Sequence, residues 1–220
     1  MQSEISVRFF AGIDEFTTRE LLSNIDGIIQ KGYRRIHLLI SSPGGSVYHG
    51  LSLYNYLVSA PIELYTYNFG SVDSIGVILF CAGRKRFSVK HARFLLHPVQ
   101  SQLRAHSSMD EKAVDEMLKG LKIDQANIAK VIASRIINKN AEEIEQMIHS
   151  RTTLSPQEVQ DIGLIHEIKE LDVPVADGVV SIFNKQQSPA FVIPQDTPGG
   201  FTEIESNYLY PRHNYTPLAF

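Results

Sequence analysis

The run Ile36-His37-Leu38-Leu39-Ile40 is apolar almost throughout and gives way at once to Ser41-Ser42-Pro43-Gly44-Gly45. Beyond that turn Val47, Leu51, Tyr54 and Val58 recur at steps of three and four residues. A short strand without polar alternation suits a sheet interior covered on both faces, and the striped segment after it suits a helix that covers one of them. This unit commits the chain to helices layered on a mainly parallel sheet, an α/β fold.

Strand-like and helix-like runs alternate from about Ser6 to Ile168. Thr17-Thr18-Arg19-Glu20 reads as a capping box opening a helix through Leu21, Leu22, Ile25, Ile28 and Ile29, with Gly32 as its stop. Ile62 to Tyr67 predicts the next strand, Ser74 to Ala82 a buried helix, and Phe94-Leu95-Leu96 a third buried strand ending at His97. From Met109 to about Ile137 a stripe of Ala113, Met117, Leu121, Ile128, Val131 and Ile132 predicts one long, projecting helix. Asn140 with Glu143 caps a short helix, and Ser155-Pro156-Gln157-Glu158 opens another that Gly163 closes. After about Glu170 the pattern dissolves around Gln186-Gln187-Ser188-Pro189 and Asp196-Thr197-Pro198-Gly199-Gly200, so residues 171–220 are expected to form an extended or disordered extension. Its Phe191, Phe201, Tyr208, Tyr210 and Tyr215 are candidates to dock on a partner.

Charge and composition exclude several classes. A formal net charge of −3 provides no field for a polyanion, so no nucleic-acid partner is expected, and Arg84-Lys85-Arg86 is read as a solvated turn. One cysteine, Cys81, allows neither an internal disulfide nor a cysteine-based metal site, and histidine metal signatures are absent; no cofactor is expected. The first ten residues carry an acid where a signal peptide needs a basic and then apolar stretch. The uncharged run from Ser74 to Gly83 falls short of the roughly 18–20 residues that span a bilayer, so the protein is expected to be soluble and cytoplasmic.

Three sites carry candidate chemistry. Ser42-Pro43-Gly44-Gly45-Ser46 joins a buried strand to a helix, where glycines let backbone amides approach an anion; an ordinary Gly-rich βα turn fits equally. Gly70-Ser71-Val72-Asp73-Ser74-Ile75-Gly76 repeats the junction and offers Ser74 as a nucleophile or as a helix N-cap. Val72 stands where the Gly-x-Ser-x-Gly elbow needs its first glycine. Of eight histidines, His97 alone follows three apolar strand residues, which makes it the candidate base.

Ser42-Pro-Gly-Gly, Gly70-x-x-x-Ser74-Ile75-Gly76 and Leu95-Leu96-His97-Pro98, in this order and spacing, resemble the Clp protease proteolytic subunit. Arg151-Thr152-Thr153-Leu154-Ser155-Pro156-Gln157-Glu158 with Gly163-Leu164-Ile165 extends the resemblance, which runs from about Phe9 to Ile168. It implies the ClpP/crotonase fold of stacked ββα units with a projecting handle helix, over a catalytic domain at residues 1–170. It implies a serine endopeptidase with Ser74 as nucleophile, His97 as general base, and the Gly45 and Ile75 amides as oxyanion donors. It also implies homo-oligomeric heptameric rings, stacked in pairs through the handle, that degrade peptides or unfolded proteins with an ATP-dependent unfoldase.

Three positions depart from the family. Thr152 follows Arg151 where the family carries the triad aspartate, Asp73 precedes the nucleophile where alanine is usual, and the chain begins close to the first core strand, leaving little of the axial loop that meets the unfoldase. A hydroxyl orients imidazole but does not neutralise imidazolium as a carboxylate does. Two alternatives follow: a catalytically weak or silent Clp-like subunit, and a crotonase-type acyl-CoA hydratase or isomerase, which needs two backbone amides but no Ser–His pair.

Overall fold

The computed structural model describes residues 4–101, 108–170 and 179–184. In chain order the elements are β1 (Glu4–Phe10), α1 (Glu15–Gln30), β2 (Arg35–Ser42), α2 (Val47–Ser59), β3 (Glu63–Asp73), α3 (Gly76–Cys81), β4 (Lys85–Ser88), β5 (Arg93–Leu95), α4 (Glu111–Ala133), α5 (Ala141–His149), β6 (Thr153–Leu154), α6 (Pro156–Asp161), β7 (Glu167–Ile168) and β8 (Val179–Phe183). The main sheet runs β6-β5-β3-β2-β1-β8, with β4 and then β7 branching from β3. Every pairing is parallel except β5 with β6.

The apolar run at Ile36 lies in β2, inside the sheet, where Ile36, Leu38, Leu39 and Ile40 are all buried. β3 is longer than its apolar pattern predicts, because one edge serves two partners in succession. Tyr65–Asn68 pair with Lys85–Ser88 of β4, and Ser71–Asp73 pair with Arg93–Leu95 of β5. The second half of β3 therefore leaves the β4–β7 layer and carries its C-terminal residue to the end of β5. α3 is buried at every residue, and Cys81 within it has a thiol pushed up to about 11 by burial, which makes it an inert packing group. Among the described residues no helix is long and apolar enough to cross a membrane.

Three expectations change. α1 begins before the expected capping box: Asp14 accepts from the Thr17 amide at 2.8 Å, and Thr17 Oγ1 meets the Asp14 amide in return at 3.1 Å. Asp14 is the stronger acceptor for orphan amides, so Thr17 and Thr18 are drawn into the buried first turn. The sheet also continues past residue 170, since β8 pairs along β1 from Ser6 to Phe10 and buries Ile182. The compact unit accordingly extends to Asn184. The breaks and aromatic residues named beyond Lys185 lie outside the described residues.

The third change concerns Arg84-Lys85-Arg86, expected as a solvated turn: Arg84 and Lys85 are exposed, but Arg86 lies in β4 at 5% exposure. Its Nε donates to the Leu164 carbonyl at 2.6 Å, Nη1 to Gly83 at 3.1 Å and Nη2 to Arg135 at 2.8 Å. Those carbonyls lie just past the C-terminal caps of α6, α3 and α4. Helix C-termini concentrate unpaired carbonyls and partial negative charge, so one guanidinium satisfies three helix ends without any carboxylate. Arg86→Met leaves those carbonyls buried and unpaired. It is expected to cost about 3 kcal/mol or more, at about 1–3 kcal/mol per orphaned group. Thermal unfolding followed by circular dichroism checks this, with an expected fall in Tm of at least about 6 °C for a chain of this size.

Candidate active site

β3 and β5 deliver the two candidate side chains. Asp73 is opposite Leu95 in the register, and the next amide, Ser74 N–H, donates to the Leu95 carbonyl at 2.7 Å. His97 follows two residues after Leu95. The chain then turns from strand to helix within two residues, Ser74 and Ile75: the Val77 amide already donates to the Ser74 carbonyl at 3.0 Å. Ser74 makes this turn at φ 57°, a left-handed conformation that costs a non-glycine residue about 1–3 kcal/mol. No side chain caps α3, and among the described residues Ser74 Oγ has no hydrogen-bond partner, so the N-cap reading of this serine is excluded.

The Pro-Gly-Gly turn packs directly on this strained residue. Gly44 has φ 89°, and a Cβ there would lie 2.7 Å from Ser74 Cβ and 2.9 Å from the Asp73 carbonyl. Gly45 has φ 147°, and a Cβ there would fall 2.2 Å from the Ile13 carbonyl. The turn is fastened to Ile13 by two bonds of 2.8 Å, from the Ile13 amide to the Gly44 carbonyl and from the Ser46 amide to the Ile13 carbonyl. This pairing leaves the Gly45 amide unused. Among the described residues neither it nor the Ile75 amide has an acceptor, which suits both to receive developing negative charge.

Ser74, His97 and Gly45 open on one cavity of about 210 Å³, walled by Val47, Leu96, Val99, Ile128 and Ile148. α4 and α5 supply the last two walls. A larger, shallower groove between α1 and α2 contains none of the candidate residues, and its Ser52 hydroxyl is spent on the Tyr48 carbonyl at 2.9 Å. In the described conformation no hydrogen bond joins Ser74 to His97. His97 Nδ1 lies 2.9 Å from the Pro98 carbonyl. A carbonyl only accepts, so this contact assigns the proton to Nδ1 and leaves Nε2 as the basic nitrogen.

Thr152 does not take the third position. Its Oγ1 donates to the Met147 carbonyl at 2.8 Å, at the end of α5, and its own carbonyl accepts from the Leu96 amide at 2.9 Å. The backbone of Thr152 adjoins the strand leading to His97, while its hydroxyl is committed elsewhere. Asp73 is likewise engaged away from His97: Oδ1 accepts from Ser71 Oγ at 2.7 Å and Oδ2 pairs with Arg93 Nη2 at 2.8 Å. This ion pair ties β3 to β5 one residue before Ser74. Sequence reasoning missed it, although Ser71 and Asp73 at i, i+2 in a strand share a face.

Comparison with known proteins agrees with this geometry. The family model for Clp protease matches residues 2–172, most of the chain. The chain belongs to the Clp protease family. It is 40% identical over 70 residues to the ATP-dependent Clp protease proteolytic subunit 1 of Mycobacterium leprae (strain TN), covering 31% of this chain and 35% of that one. It is 30% identical over 135 residues to proteolytic subunit 2 of Synechococcus sp. (strain CC9605), covering 60% and 66%. Proteolytic subunit 2 of Mycolicibacterium paratuberculosis (strain ATCC BAA-968 / K-10) matches at 44% over 64 residues, 28% and 32% of the two chains. The aligned segments thus span from about one third to just under two thirds of these relatives.

Gly44→Ala sets a Cβ against the Ser74 backbone turn in a conformation that alanine resists. A destabilisation of about 1–3 kcal/mol is expected from the strain alone. Chemical denaturation measures it; a midpoint equal to that of the wild type would mean the turn packs otherwise.

Proposed function

We propose that the protein is a serine endopeptidase of the Clp type, hydrolysing peptide bonds in an oligomeric chamber. The observation that carries this reading is the unbonded Ser74 hydroxyl opening, with His97 and the unaccepted Gly45 amide, on one cavity that aliphatic side chains wall on several sides. His97 Nε2 takes the Ser74 proton as Oγ attacks the peptide carbonyl, a contact that in free enzymes often tightens only when substrate binds. The amides of Gly45 and Ile75 hold the tetrahedral oxyanion. His97 then protonates the departing amine, leaving an acyl group on Ser74, and activates the water that releases it. The aliphatic walls favour an apolar side chain on the acyl side of the cleaved bond.

The exposed apolar residues of α4 support assembly. Val114, Leu118 and Ile123 are 43%, 46% and 50% exposed on this helix, apolar surface that a second copy of the chain would cover. On family grounds the assembly is a pair of stacked heptameric rings in the cytoplasm, fed by an ATP-dependent unfoldase.

A fluorophosphonate probe is expected to label the wild type at Ser74 and to leave Ser74→Ala unlabelled. Equal labelling of both would sink the assignment. Sedimentation is expected to give particles many times the 24.7 kDa chain mass, and Leu118→Glu to shift them to smaller species.

One observation favours a second reading, that of a weak or silent subunit: the partner of His97 Nδ1 is a neutral carbonyl. Loss of the carboxylate in a comparable triad costs about 10⁴ in turnover. A carboxylate cannot donate to the Met147 carbonyl that holds the Thr152 hydroxyl, so in Thr152→Asp the side chain is released from that bond to turn to His97, and kcat/KM on a fluorogenic peptide is expected to rise at least about tenfold as part of that 10⁴ is recovered. A wild type and variant that are both inert, with assembly intact, would favour the silent subunit.

A further inference from the structure

We infer that Asn184, at the end of β8, is a positioning residue for the oxyanion turn, so that the segment beyond the family match forms part of the working site. This deepens the peptidase reading and rests on it. The family model ends at residue 172, whereas β8 spans Val179–Phe183 and lies along β1 over five paired positions, from Ser6 opposite Val179 to Phe10 opposite Phe183. Directly after the strand, Asn184 Oδ1 accepts the Gly12 amide at 2.8 Å.

Gly12 is held from one further side, where its carbonyl accepts from Thr17 Oγ1 at 2.7 Å. A Cβ on it would stand only 3.5 Å from the Gly44 carbonyl, so the residue lies close beside the turn. The next residue, Ile13, supports the turn through the paired bonds to Gly44 and Ser46. A short relay therefore runs from Asn184 through Gly12 and Ile13 to Gly44–Ser46, the turn that presents the Gly45 amide. An oxyanion donor acts only when fixed in position before charge develops, and small displacements of such a group are costly. Removing the Asn184 acceptor frees the Gly12 amide, which loosens the turn without touching Ser74 or His97.

Asn184 is exposed, so Asn184→Ala changes no packing, and Asn184→Asp retains an acceptor oxygen for the Gly12 amide. The test compares wild type, Asn184→Ala and Asn184→Asp in the full chain by two measurements. Amide hydrogen exchange over residues 11–16 and 42–47 is expected to quicken in Asn184→Ala and to return toward wild type in Asn184→Asp. Peptide hydrolysis is expected to lose about three- to tenfold in kcat in Asn184→Ala with KM unchanged, the size of one hydrogen bond's contribution, and to recover in Asn184→Asp. Unchanged exchange at 42–47 in Asn184→Ala overturns the inference whether or not the protein is a peptidase. Faster exchange with full kcat overturns the positioning role. An inert wild type refutes the peptidase reading instead, and exchange still decides whether Asn184 holds the turn.

Discussion

The hydrogen bonds between Ser71–Asp73 and Arg93–Leu95 are the interaction on which the site depends. A strand edge offers each residue one set of backbone partners, so β5 pairs with β3 only where β4 has stopped. That succession puts the last residues of β3 beside the end of β5, from which Ser74 and His97 reach the same cavity. Their proximity is a matter of register. A slip of one residue would reverse the faces of both strands and separate them. The Asp73–Arg93 ion pair and the Ser71 hydroxyl add side-chain bonds at this seam, next to the strained serine.

Two charged groups are removed from water here by different means. Arg86 is matched by carbonyl dipoles from three helix ends and fastens α3, α4 and α6 to the β4 layer. Asp73 is matched by a cation whose own side chain is half exposed, so its net worth is modest and sensitive to salt. The first is an architectural clamp at the base of the α4 segment that supplies the Ile128 wall, and the second is a local tie beside Ser74. Both sit outside the cavity, which leaves His97 as the one titratable side chain in its lining among the described residues.

Local signals were legible wherever local physics decides the outcome. The apolar run at Ile36 marked β2, the Ser155 and Asn140 boxes marked α6 and α5, and Ser74 and His97 stood out by what preceded them on their strands. Two of the failures share one cause, partners distant in sequence. Arg86 looked solvated because its acceptors lie at Leu164 and Arg135, 78 and 49 residues away. β8 was hidden because a five-residue edge strand in Gly- and Pro-punctuated sequence has little periodicity of its own; its pairing with β1 spans more than 170 residues. The early start of α1 is different, since Asp14-x-x-Thr17 is a local cap that the neighbouring Thr17-x-x-Glu20 pattern overshadowed.

The neutral partner of His97 follows from the same backbone logic. Thr152 is tied through its carbonyl to Leu96 and through its hydroxyl to Met147, so the residue that a triad would use to face the imidazole serves here to join β6 to β5 and to close α5. Pro98, locked in φ by its ring and adjacent in sequence, supplies its carbonyl instead. A carbonyl dipole fixes the tautomer and orients the ring as a carboxylate would, but in the proposed mechanism offers less to the positive charge that imidazole acquires as Ser74 attacks. On the proposed peptidase reading, orientation and charge stabilisation, united in one aspartate in the usual triad, are thereby separated: the fold supplies the first through a local peptide group, and the unaccepted amides at Gly45 and Ile75 would have to offset the rest at the oxyanion. A site built this way leans harder on the rigidity of its oxyanion turn, which is why the supports of that turn, from Gly44 against Ser74 to Gly12 against Asn184, weigh so heavily in this chain.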